Sequence, residues 1–168
     1  FRQTFKNIFN IAFNNDLEVN RIVSPKTTDY ELYPFSIPVS AVVRNVGKNE
    51  VTAFRAIARI YRNNLLVYTS IKDWASNPPS LPNMAMGAEN TINFDLFAPQ
   101  DASQFGDYTI KIEVQFPAAS QIVDDQPINN FLPRETETIP YTFRIRNEID
   151  ARADSVYFSA KDLYVGRP

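Results

Sequence analysis

The chain has 168 residues, 17 Lys and Arg against 19 Asp and Glu, and neither histidine nor cysteine. The length suits one domain with short additions, and a net charge of −2 gives no bulk attraction to nucleic acid or an anionic membrane. The two zeros exclude Ser-His-Asp and Cys-His nucleophiles, zinc fingers, His-ligated transition metals and disulfides.

In chain order, the first 13 residues carry six large apolar side chains, Phe1, Phe5, Ile8, Phe9, Ile11 and Phe13. Phe1, Phe5, Ile8, Phe9 and Ala12 fall at helical spacing, while Phe9, Ile11 and Phe13 alternate as a strand would, so periodicity does not arbitrate. Left in water they are an aggregation liability. Residues 1–15 are therefore expected to be a linker or interaction segment covered by a neighbouring module or subunit. Leu17, Val19 and Ile22-Val23 predict an edge strand stopping at Pro25. Ile37, Val39, Ala41 and Val43 alternate against Pro38, Ser40, Val42 and Arg44, a strand with one face on a core. Asn45-Val46-Gly47-Lys48-Asn49 follows as a turn, since Asn and Gly tolerate positive φ.

Phe54, Ala56, Ala58 and Ile60 alternate next, and Arg62-Asn63-Asn64 closes a hairpin into Leu65–Thr69. A proline-stiffened connection is expected from about Asp73 to Asn90, then a strand with Ile92, Phe94 and Leu96 on one face. The cleanest strand places Tyr108, Ile110, Ile112, Val114 and Phe116 inward, with Lys111 and Glu113 in solvent. Ile139, Tyr141, Phe143 and Ile145 make another. Ser155–Ser159 is strand-like again, within a 147–168 extension that adds to this sandwich or begins a further module. At least seven short strands and no convincing central helix predict an all-β antiparallel β-sandwich of seven to nine strands. A start at Phe1, without methionine or a signal-peptide pattern, reads as a processed or excised piece of a longer chain.

Few constellations carry chemistry. Gly106-Asp107-Tyr108 looks like a tyrosine corner, or simply a core aromatic at a strand start. Asp124, Asp125 and Asn129 offer hard oxygen donors that suit Ca²⁺, but without EF-hand spacing they read first as an Asx-capped turn. Trp74, the only tryptophan, is a plug over one end of the sandwich or, beside Tyr61 or Tyr68, a sugar-stacking platform. Arg55, Arg59 and Arg62, with Arg144 and Arg146, read as the solvated face of strands. No catalytic pair stands out, so no catalytic residue, metal or cofactor is expected.

Taken in order, five motifs resemble those of the cell-adhesion-related domain found in bacteria (CARDB), an immunoglobulin-like module of secreted and surface proteins. They are Asp16–Val19 with Ile22–Pro25, Val42–Gly47, Ala85–Glu89, Gly106–Tyr108, and Asp125 with Asn129-Asn130. The resemblance spans residues 16–146 and implies extracellular placement in multidomain chains, without enzyme activity. The expected function is a non-catalytic spacer, adhesion or assembly module. Its partners would be other protein modules or subunits, including copies of itself, without nucleic acid or direct membrane insertion. Two alternatives stay open: a surface-filament subunit joined by strand addition, and an accessory domain of a secreted hydrolase.

Overall fold

The computed structural model describes residues 13–26, 30–32, 36–78, 80–99, 105–133 and 142–146. Nine strands lie among them: β1 Leu17–Ser24, β2 Tyr30–Leu32, β3 Ser40–Asn45, β4 Ala53–Arg62, β5 Leu65–Ala75, β6 Glu89–Asn93, β7 Gly106–Gln115, β8 Phe131–Leu132 and β9 Thr142–Arg146. One sheet has the order β1-β3-β6 and the other β2-β9-β7-β4-β5, with β8 on β7. Every pair is antiparallel except β2 with β9. The architecture is a β-sandwich, as the strand pattern predicts, and of the immunoglobulin-like kind that the resemblance implies.

Alternation explains the core. Tyr108, Ile110, Ile112 and Val114 on β7 are buried against Phe54, Ala56, Ala58 and Ile60 of β4 and against Leu17, Val19, Ala41 and Val43 of the opposite sheet. Each large aliphatic side chain so removed from water stabilises the fold by about 1.5–3 kcal/mol. The β4–β5 hairpin turns through Asn63 and Asn64, both at positive φ (49° and 64°), the geometry that matches the twist of paired strands.

Four expectations need correction. Lys111 and Glu113 are only half exposed: the Lys111 ammonium lies 4.7 Å from the centre of the Phe131 ring, and Glu113 accepts from Arg59 at 2.6 Å. Leu96 is exposed and Phe97 buried in its place. The period of two fails there because β6 ends at Asn93 and Asp95 turns to β5, where Ser70 Oγ donates to its carboxylate at 2.7 Å and Lys72 pairs with it. Phe97 then bonds across to Ile37. The third concerns β5, which runs to Ala75, so Trp74 sits on a strand and not in the following loop. Finally, β2 is a strand that no sequence pattern marked. Its three residues hold only as the parallel neighbour of β9.

The start of β1 and the end of β9 lie at opposite ends of the sandwich. Asn130 O accepts from Val114 near the close of β7, and this same loop holds the start of β1, where Leu17 N–H donates to Asp124. Ile145, near the close of β9, instead lies opposite Gly106, the first residue of β7.

Candidate functional site

The polar residues that the sequence marks in the Asp124–Asn130 loop do converge. Asp125 Oδ2 accepts the backbone N–H groups of Asn14 and Asn15 at 2.8 and 3.0 Å. Asp124 accepts Leu17 N–H at 2.9 Å on one oxygen and Gln126 N–H at 2.8 Å on the other. Asn129, buried, donates its amide to Oδ1 of the fully buried Asp16 at 2.8 Å. With its amide oriented to donate, Asn130 reaches Leu17 O at 2.8 Å. Burial pushes the Asp124 carboxyl above its ordinary pKa, with the Asp16 charge adding to the rise. Its hydrogen bonds to Leu17, Gln126 and Asn130 act against both. These groups clasp the start of β1 to a loop more than a hundred residues away. Asp124, Asp125 and Asn129 thus meet protein donors and acceptors. Among the described residues, no group of three or more carboxylates is placed to hold a metal ion.

A second polar centre adjoins the first. Asn45 is fully buried. Its Nδ2 donates to Asn49 O and Met84 O at 2.9 and 2.8 Å, and its Oδ1 accepts Gly47 N–H at 3.0 Å. Gly47 is needed here for closeness and not for positive φ, which it does not adopt. A Cβ at Gly47 would stand 2.6 Å from both Asn14 O and Asp16 N. The sequence pointed to the right residue for the wrong reason: the backbone that crowds it belongs to the β1 clasp.

At the same end, Trp74 lies beside Phe54 in the β4–β5 ladder and stacks on it, with ring centres 5.0 Å apart and 17° between planes. It is half-buried and packs on the core. Tyr61 and Tyr68, the companions expected from sequence, belong to the other end of the hairpin, where Tyr68 pairs with Ile60 and its hydroxyl donates to Asp95 O. Phe54 is the actual neighbour. Arg55, Asp73 and Gln115 point to the opposite, outer face of the same strands, where they border a cavity of about 470 Å³ together with Pro117. On that outer face Arg55 grips Asp73 through two hydrogen bonds of 2.7 and 3.0 Å.

No protein-family model matches the chain, and no curated protein does. Solved structures do. A crystal structure of the CARDB domain of the PF1109 protein from Pyrococcus furiosus, in complex with di-metal ions, superposes with a TM-score of 0.54 at 19% identity, over 82% of this chain and 99% of that one. The chain has the CARDB fold. A solution structure of the same Pyrococcus domain also matches, at 18% identity, 80% and 97% coverage and a TM-score of 0.46.

Within this CARDB-like sandwich four of the five arginines singled out from the sequence meet local partners, and the side chain of the fifth, Arg146, lies outside the described residues. Arg55 pairs with Asp73, Arg59 with Glu113 and Arg144 with Asp107, and Arg62 donates to Phe105 O at 2.8 Å. Tyr108 is a core aromatic, stacked on Phe143. Phe13 is half-buried, and its carbonyl accepts Lys48 N–H at 2.9 Å. Phe1, Phe5, Ile8, Phe9 and Ile11 lie outside the described residues, as do Ile139, Tyr141, Ser155–Ser159 and the 147–168 extension.

Proposed function

We propose that this chain is a non-catalytic module of a secreted or cell-surface bacterial protein, serving as a spacer, adhesion or assembly domain. The observation that carries this reading is the path of the chain, into β1 at one end of the sandwich and out of β9 at the other. A module threaded in that way extends a protein by its own length, about 33 Å for a ten-residue strand such as β7. The polar loops support it, since their carboxylates and amides are taken up in holding the chain to itself. The CARDB likeness supports a non-catalytic role. Strand addition at β5, the outermost strand of its sheet, is the less favoured route to assembly. Val67 forms a bulge against β4, and Lys72 and Asp73 stand in the regular part of that edge, features that discourage edge-to-edge pairing.

The test is exposure on the living cell. External protease added to intact cells of the source organism should remove the epitope of this domain while a cytoplasmic marker survives. Recovery of the intact domain with the cytoplasmic fraction would refute the placement. Two tandem copies should lengthen the particle by about 33 Å in small-angle scattering, and a compact side-by-side pair would refute the spacer role.

A further inference from the structure

We propose that the cleft at the tip of the β4–β5 hairpin seats the chain's own C-terminal run Asp154–Phe158, with apolar side chains covering Val67 and Leu96 and the Asp154 carboxylate pairing with Arg62. The cleft has a volume of about 340 Å³. Its back is a row of rings on the core face of the sheet. Tyr68 lies opposite Ile60, which pairs in turn with Ile110, two residues from Tyr108. Phe97 stands between the two tyrosines, edge-on to each with ring centres 5.5 Å apart. Arg62, two residues beyond Ile60 and on the same face, holds its guanidinium carbon 5.9 Å from the centre of the Tyr108 ring. Val67 and Leu96, which also line the cleft, are 46% and 60% exposed. Apolar side chains left in water around a concavity mark a surface that another segment covers.

The path of the chain selects the occupant. Ile145 lies opposite Gly106, and Arg62 donates at 2.8 Å to the carbonyl of Phe105, the residue before that glycine. β9 therefore ends beside the cleft. The eight residues from Asn147 to Asp154 span up to ~26 Å, ample for so short a return. The apolar residues 1–11 join the sandwich at its other end, where Phe13 O accepts Lys48 N–H. Charge agrees with this choice. Among the described residues, Arg62 is the only charged one that lines the cleft. It gives one N–H to Phe105 O, and a guanidinium has donors to spare for a carboxylate. The run Asp154-Ser155-Val156-Tyr157-Phe158 offers that carboxylate just ahead of three large apolar side chains. The charge-assisted pair would set the register, and burial of the apolar groups would hold it.

The chain has no cysteine, so an engineered pair reports on itself alone, and a bridge needs its two Cα atoms within about 7 Å. In the full 168-residue chain, Leu96→Cys with Phe158→Cys is oxidised by copper–phenanthroline. The control is Val123→Cys with Phe158→Cys, Val123 being exposed at the far end of the sandwich. The expected result is an intramolecular bridge in the first pair, ~10-fold or more faster than in the control and at a rate independent of protein concentration. Arg62→Glu and Asp154→Arg should each slow that bridge ~3-fold or more, and the two together should restore it. Equal rates in both pairs overturn the proposal. So do bridges that form only between chains, at a rate rising with concentration, because a second copy then covers the cleft. Failure of the combined charge swap to recover the rate overturns it as well. Where Arg62→Glu does not fold, Asp154→Arg alone carries the charge test, and an undiminished rate refutes the pairing. The module reading, which rests on the chain path, survives each of these outcomes.

Discussion

Replacing Asn45 by alanine removes three hydrogen bonds from a site with no access to solvent. At about 0.5–1.5 kcal/mol each, the loss sums to about 1.5–4.5 kcal/mol. Two groups keep another partner: Met84 O still accepts Val51 N–H, and Gly47 N–H still reaches Asp16 O. That trims the loss, while the void left by the amide adds to it, so Asn45→Ala should cost about 2–4 kcal/mol. Asn45→Asp separates hydrogen bonding from shape. It fills the same volume but turns a donor into an oxygen facing two carbonyls, so at pH 7 it should cost at least ~1 kcal/mol more than the alanine variant. Burial raises the folded pKa of that new carboxyl above its unfolded value of about 3.9. The folded state then binds the proton more tightly, and stability falls as pH rises between those values. Urea denaturation of both variants at pH 5 and pH 8 checks this, the other carboxylates cancelling between them. An Asn45→Ala loss under ~0.5 kcal/mol would refute the account, as would an Asn45→Asp variant no worse than alanine at pH 8.

Ile112→Ala, at the fully buried centre of β7, should cost about 2–5 kcal/mol in the same denaturation assay; a loss under ~1 kcal/mol would mean that the site collapses freely around the cavity. Carboxyl-carbon NMR should find Asp73 titrating below the ordinary carboxylate range because Arg55 donates to it, and Asp95 below it because Lys72 and Ser70 do. Asp124 should titrate above that range because it is buried. The first two stabilise the fold above the ordinary range and lose that contribution as pH falls through their depressed values; ionised Asp124 opposes folding as pH rises through its raised one. Asp124 titrating below Asp73 would contradict the geometry. Melting curves with and without EDTA should coincide, and a drop of several degrees restored by Ca²⁺ would turn the Asp124–Asn129 clasp into a metal site.

What was legible in the sequence followed from local chemistry. The inward face of β7 is strict alternation from Tyr108 to Val114, and Asn63-Asn64 is a turn that its residue types allow. The Asx turn at Asp124 is equally local, its carboxylate accepting an N–H two residues on. What stayed hidden depends on partners far along the chain. Nothing near Asp124 announces Leu17, and nothing near Gly47 announces the backbone of Asn14 and Asp16 pressed against it. Alternation extrapolated through Asp95 put Leu96 inside because the pull of Ser70 and Lys72 comes from a different strand. Trp74 was half visible: the residue was singled out, but its stacking partner Phe54 comes from the neighbouring strand β4.

The opposed ends of the sandwich also determine how the domain bears tension. Pulled between Leu17 and Arg146, β1 is drawn lengthwise against β3, and β9 lengthwise against β7. The six residue pairs of the β1–β3 ladder then take the load together instead of opening one by one from an end. Resistance to stretching is governed by the unfolding rate, so a ladder strained in parallel gives this fold a mechanical lifetime longer than its equilibrium stability alone would suggest.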